Sequence, residues 1–71
     1  MKEILIQLGF VMYSSCSCGG TYAEKYKLNN QKGLFICEIK PNRNIWTLKN
    51  NGVFQVKGTK ENLTEKLNEI I

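Results

Sequence analysis

The chain contains no histidine and no aspartate among its 71 residues, so all six acidic residues are glutamates. Histidine is the side chain that most often acts as a general acid or base near neutral pH, and a cysteine nucleophile also needs a base beside it. A glycine-rich phosphate loop is missing as well, because Gly19-Gly20 is not followed by lysine and a helix. The two central glutamates, Glu24 and Glu38, are expected on opposite faces of a sheet. These absences predict a protein without catalytic activity.

Long apolar runs are also missing. Every apolar run is far shorter than the roughly 18 residues that a membrane-spanning helix needs, and Ile4-Leu5-Ile6 ends at Gln7 without a cleavage pattern. Three cysteines is an odd number, which argues against a closed disulfide framework. We therefore expect a cytoplasmic protein that does not contact a membrane and whose thiols stay reduced.

The length of the chain predicts a single small domain covering residues 1–71. Near the N-terminus, Ile4, Leu5 and Leu8 have helical spacing, and Gly9 follows where a helix C-cap belongs. A short strand is the alternative for residues 2–8, because the segment is short and both Ile4 and Ile6 are β-branched. We favour the short helix.

Strand patterns occupy the middle of the chain. Alternation, or β-branched and aromatic composition, indicates strands at Phe10–Ser14, Thr21–Leu28, Leu34–Lys40, Ile45–Lys49 and Val53–Lys57. Pro41 ends one of these segments, and Asn51-Gly52 predicts a type I′ hairpin turn. The residues expected on the inner face are mostly aromatic or aliphatic: Tyr22, Tyr26, Leu28, Phe35, Cys37, Ile39, Trp46, Leu48, Phe54 and Val56.

The C-terminal segment changes to a helical period. Thr59 is a good N-cap, and an apolar stripe follows at Leu63, Leu67, Ile70 and Ile71. Short connections favour antiparallel neighbours. We therefore predict an α+β fold in which a four-stranded antiparallel meander carries a short N-terminal helix and a C-terminal helix on one face, in the order α-β-β-β-β-α.

Basic residues are concentrated in the middle of the chain, which has a net charge of +4 overall. Alternation places five lysines on the outer face of the predicted sheet, and these are the predicted binding residues: Lys25, Lys27, Lys40, Lys49 and Lys57. The same face is expected to carry Glu38, Thr47 and Gln55 and to expose Leu34, Ile36, Ile45 and Val53. Because most aromatic residues are expected on the inner face, we expect no exposed stacking platform.

A lysine-rich sheet face attracts phosphates through a term that does not depend on nucleotide sequence. The chain is therefore interpreted as a small interaction domain whose partner is nucleic acid or an acidic protein surface. Lysines that only keep the domain soluble are the alternative explanation for this charge. The oligomeric state is left open.

The cysteines suggest a second function. Cys18-Gly19-Gly20 is similar to half of a zinc knuckle, although the usual Cys-x-x-Cys spacing is replaced here by Cys-x-Cys. A thiolate zinc module would use Cys16, Cys18 and Cys37, with the fourth ligand that a structural site needs supplied by a glutamate or a partner. The structural alternative is that Cys37 is a small core residue and that the other two flank a tight turn. No cofactor other than this possible zinc ion is expected.

Overall fold

A computed structural model describes the backbone of residues 1–71 and every side chain except those of Cys18, Phe54 and Gln55. One helix precedes the five strands in the sequence and a second helix follows them. Two short 3₁₀ turns cover Cys18–Gly20 and Pro41–Arg43. The elements are α1 (Lys2–Leu8), β1 (Val11–Cys16), β2 (Ala23–Asn30), β3 (Gly33–Lys40), β4 (Ile45–Asn50), β5 (Val53–Thr59) and α2 (Lys60–Ile70).

The five strands form one sheet in the order β1-β2-β3-β4-β5, and every neighbouring pair is antiparallel. The predicted α+β class and antiparallel meander are therefore confirmed, but the predicted count of four strands is wrong. All five segments with strand patterns form strands. The segment after α1 adds an edge strand, β1, because the 3₁₀ turn at Cys18–Gly20 is short enough to bring it back antiparallel against β2.

The N-terminal segment is a helix, which decides between the two interpretations of residues 2–8. Gly9 adopts a left-handed conformation with φ of 102°, where a residue with a Cβ would be strained. Its N–H donates to the carbonyl of Ile6 at 3.0 Å, and the N–H of Phe10 donates to the carbonyl of Leu5 at 2.9 Å. These two bonds end α1 and turn the chain so that Phe10 enters the core.

The start of α2 is fixed by a capping box between Thr59 and Asn62, so the predicted N-cap is confirmed. The Oδ1 atom of Asn62 accepts from the N–H of Thr59 at 3.1 Å and from Nε1 of Trp46 at 3.2 Å. The indole also donates to the carbonyl of Thr59 at 2.7 Å. The helix start is thereby held against β4.

Both helices pack on one face of the sheet, as the sequence predicts. The buried hydrophobic residues of the described side chains form one cluster there: Leu5, Phe10, Tyr26, Phe35, Cys37, Ile39, Trp46, Leu48, Leu63 and Leu67. We call this side the covered face and the opposite side the open face. The expected inward position of Phe54 and outward position of Gln55 lie outside the described side chains.

Candidate nucleic-acid interface

The strand pairing arranges the predicted binding lysines in rows across the open face. Lys25 pairs with Glu38, Glu38 with Thr47, and Thr47 with Lys57. Successive side chains of a strand point to opposite faces, so the neighbours of Glu38 and Thr47 along their strands are buried residues of the core. The row exists because four neighbouring strands, β2 to β5, keep the same alternation at this level of the sheet.

A second row lies about 7 Å away along the strands, which is the spacing of residues i and i+2. In this row Lys27 pairs with Ile36, and Ile36 pairs with Lys49. Lys40 begins a third row and pairs with Ile45. All five predicted binding lysines therefore share one face.

The lysines of the open face have few neutralising neighbours. Four of them are exposed and Lys40 is half-buried. Glu38 is the acidic residue placed among them, and within the described part of the chain none of the five lysines forms an ion pair with a carboxylate. The remaining charged residues, five basic and five acidic, lie on the helices, in turns or on the covered face. The excess positive charge of the chain is therefore concentrated on the open face.

The open face is concave. One depression of about 310 Å³ is lined by residues that include Cys16, Lys25, Glu38 and Lys40. A second, of about 270 Å³, is lined by Tyr13, Lys25, Ile36, Glu38, Thr47, Lys49 and Gly52. Tyr13 belongs to the edge strand β1, whereas Gly52 lies in the turn between β4 and β5. One depression contacts both because the sheet twists and curls around it.

Tyr13 is a functional candidate that the sequence pattern did not reveal, and its exposed ring contradicts the expectation that no aromatic side chain is exposed for stacking. The pairing of β1 with β2 is irregular between Met12 and Ser14, so Tyr13 lies in a bulge with no direct partner. Its side chain is 47% exposed in the second depression, and Nζ of Lys27 lies 5.7 Å from the centre of its ring. Val11, Met12 and Tyr13 are consecutive apolar residues without alternation, so only the register with β2 could have revealed where Tyr13 lies.

The aliphatic residues predicted for the outer face are partly confirmed. Leu34 and Ile45 are 39% and 37% exposed, and Ile36 is half-buried between Lys27 and Lys49. Val53 is 63% exposed but pairs with Asn50 at the end of β4 and does not join the rows.

Cys37 is separated from Cys16, because one lies in the core and the other lines a depression on the open face. Cys37 is a free thiol in the core, where burial and, to a smaller extent, the charge of Glu38 raise its pKa to about 12. Cys16 lines the first depression on the open face and is disulfide-bonded, so the expectation that the thiols stay reduced is wrong for this residue. Cys18 was the remaining predicted ligand, and its side chain lies outside the described residues. Among the described side chains, no group of three cysteine or glutamate residues is placed to hold a metal ion.

The two central glutamates lie on opposite faces, as expected. Glu38 is on the open face, whereas Glu24 pairs with the buried Ile39. The Glu24 carboxylate accepts hydrogen bonds from the hydroxyl of Tyr22 at 2.6 Å and of Tyr26 at 2.9 Å. Burial, followed by the bond to Glu24, raises the pKa of Tyr26 to about 12. This carboxylate is therefore held in a structural hydrogen-bond network.

No protein-family model, curated protein or solved structure matches the chain. Within the described residues, no helix has the length and apolar character needed to span a membrane.

Proposed function

We propose that this protein is a small, non-catalytic domain that binds nucleic acid through the open face of its sheet. The observation that supports the proposal best is the alignment of five lysines on one sheet face with a single glutamate among them: Lys25, Lys27, Lys40, Lys49 and Lys57. Three of them, Lys25, Lys40 and Lys49, line the two depressions of this face. Lysine ammonium groups contact phosphates as mobile point charges and release the counterions bound to the nucleic acid. The cytoplasmic location predicted from the sequence is compatible with this role.

Nucleic acid is favoured over an acidic protein surface by the distribution of charge and by the shape of the face. The lysines are spread over four strands, so the pairs farthest apart, such as Lys25 and Lys57, are separated by three interstrand spacings of about 4.8 Å each. A phosphate backbone presents a regular series of negative charges that can follow such a concave surface. A folded acidic partner would need a convex patch of matching shape.

The salt dependence of binding tests the proposal. A fluorescently labelled oligonucleotide is titrated with the protein at several salt concentrations between 50 and 200 mM, and the dissociation constant is read from anisotropy. Five phosphate contacts predict a slope of log K against log salt of about −3.5 for a single strand and about −4.5 for a duplex. Binding that is insensitive to salt would contradict the proposal.

A double variant with reversed charges tests whether the oligonucleotide binds to the open face. Lys25→Glu with Lys49→Glu is expected to abolish measurable binding at 150 mM salt for all nucleotide sequences alike. The matched control is Lys2→Glu with Lys60→Glu, which changes the net charge equally but on the two helices. Glutamate is favourable near a helix N-terminus, so the control protein should fold normally. Equal losses in both proteins would mean that net charge alone drives the binding.

An acidic protein partner is the competing outcome. A polyglutamate peptide with the same number of charges as the oligonucleotide is added as a competitor. We expect the peptide to displace the labelled oligonucleotide only at a much higher concentration. Displacement at equal or lower concentration would replace nucleic acid by an acidic polypeptide as the ligand.

A further inference from the structure

The aromatic ring on the open face narrows the class of ligand. On the basis of the proposed function, we infer that the ligand is single-stranded nucleic acid and that one unpaired base stacks on Tyr13 in the depression between β1 and the β4–β5 turn. Lysines alone would bind single strands and duplexes alike, because both present phosphates. An exposed aromatic ring adds a contact that only an unpaired base can use fully.

The position of Tyr13 carries this inference. Its ring forms part of the wall of the 270 Å³ depression, opposite Thr47 and Lys49 of β4. The ring is 47% exposed although it lies beside a lysine and above a sheet. The bulge in β1 places the ring at the rim of the depression, where no other element of the sheet covers it completely.

The neighbours of the ring fit a nucleotide better than an apolar ligand. Lys27 lies 5.7 Å from the ring centre on one side, and Lys25 and Lys49 line the same depression. A base stacked on Tyr13 would therefore have ammonium groups within reach of its own phosphate and of the next one. Ile36 adds a small apolar surface between the lysines. Aromatic rings interleaved with basic side chains are typical of surfaces that bind single strands without sequence preference.

Duplex nucleic acid does not use these features. Its bases are stacked on each other and paired, so their faces are not available to a tyrosine at the surface. The inference therefore predicts that the protein prefers single strands over duplexes of the same length and that the difference depends on Tyr13.

The experiment is a cycle of two changes, one in the protein and one in the ligand. The ligands are a short single-stranded oligonucleotide and the same oligonucleotide with its central bases removed but all phosphates kept. The proteins are wild type, Tyr13→Ala and Tyr13→Phe. Loss of one base–aromatic stack weakens binding by about 5- to 150-fold. We expect this loss for Tyr13→Ala with the normal oligonucleotide and little change with the abasic one, and Tyr13→Phe should bind like wild type.

Val11→Ala is the matched control variant, because Val11 lies on the same edge strand, is 60% exposed and has no aromatic ring. It should bind both ligands like wild type. Circular dichroism verifies that each variant is folded. If Tyr13→Ala does not fold, Tyr13→Leu, which keeps a large apolar side chain without a ring, takes its place in the cycle.

The outcomes separate this inference from the proposed function. Steep salt dependence together with equal affinity for normal, abasic and duplex ligands would overturn the stacking inference and leave the lysine face as the binding surface. The absence of any salt-dependent binding would overturn both. A lower affinity for the abasic ligand that persists in Tyr13→Ala would place the stacking contact elsewhere and overturn the assignment to Tyr13.

Discussion

The two faces of the sheet are built from alternate residues of the same strands, yet they differ in nearly every physical property. On the covered face, Ile39 and Leu48 are at most 1% exposed and pack under the helices. Their sequence neighbours on the open face, Glu38 and Lys49, have no helix above them. One step along a strand therefore leads from a position that stabilises the fold to a position on the open face, where we propose that the ligand binds.

The energetic consequence is a division of roles between the faces. Complete burial of a large apolar side chain contributes about 1.5–3 kcal/mol, whereas a domain of this size is stable by only about 3–5 kcal/mol. The covered face therefore has little tolerance for truncation. Exposed lysines contribute little to folding, so the open face can be altered while the protein stays folded.

The largest expected effect is the truncation of a covered-face residue. Leu48→Ala should destabilise the protein by about 2–5 kcal/mol, which removes most or all of its stability. Lys49→Ala, one residue further along β4, should change stability by less than about 0.5 kcal/mol and weaken oligonucleotide binding. Urea unfolding followed by circular dichroism measures both. Similar losses of stability would contradict the division between the faces.

The second-largest effect is expected at alkaline pH, where deprotonation of Cys37 and Tyr26 should destabilise the covered face. Burial raises the pKa of Cys37 from 9.0 and of Tyr26 from 10.0, in each case to about 12. Because the folded protein keeps these groups protonated when the unfolded chain has lost the protons, their contribution is complete below pH 9 and is lost as pH rises toward 12. The free energy of unfolding should fall by about 1–2 kcal/mol by pH 10.

The control for the alkaline prediction is Cys37→Ala. Its free energy of unfolding should be lower at neutral pH but should fall less steeply between pH 8 and pH 10, because the contribution of the Cys37 thiol is then removed. Urea unfolding at several pH values measures the slope. An identical slope in the variant would show that the Cys37 thiol does not titrate as its burial requires.

A smaller loss of stability is expected when the contact between α2 and the covered face is weakened. Asn62→Ala removes the acceptor for the Thr59 N–H and for the Trp46 indole and should cost about 1–2 kcal/mol. Asn68→Ala, an exposed position on the same helix, should be neutral or slightly stabilising. Oligonucleotide affinity should be unchanged in both variants at temperatures where they are folded. A loss of affinity in folded Asn62→Ala would link the helix to the binding face.

The smallest expected effect is a gain of binding on the open face. Glu38→Gln removes the carboxylate that both depressions share with Lys25, so oligonucleotide affinity should rise by about two- to five-fold at low salt. Glu65→Gln makes the same charge change on α2 and should have less effect. Anisotropy titrations at a single salt concentration compare the two. Equal gains would show that the position of Glu38 is irrelevant.

Sequence patterns predicted the parts of the fold that depend on local rules. Thr59 as a cap, Gly9 as a helix end and the turn at Asn51-Gly52, whose φ angles are 54° and 85°, all follow from backbone preferences. The placement of the lysines followed from strict alternation in β2, β3 and β4. For these elements the sequence prediction agrees with the structure because each element is determined by residues that are close in sequence.

The features that the sequence did not reveal depend on pairing between strands. The bulge at Tyr13 and the shift of β5 after Leu48 both change which residues share a row, and neither has a local signal such as glycine at the bulge. The predicted count of four strands has a different cause, because five segments carried strand patterns and the structure forms a strand from each of them. The exposed position of Tyr13 was missed because it depends on the bulge in β1.

The most direct test of the division between faces is a methyl NMR titration with a single-stranded oligonucleotide. Isoleucine methyl labelling reports Ile36 and Ile45 on the open face, and Ile39 on the covered face serves as an internal control within β3. The account predicts that the signals of Ile36 and Ile45 shift on binding while that of Ile39 and those of the helix residues Ile6 and Ile70 stay in place. Shifts confined to Ile6 and Ile70, with Ile36 and Ile45 unchanged, would contradict it.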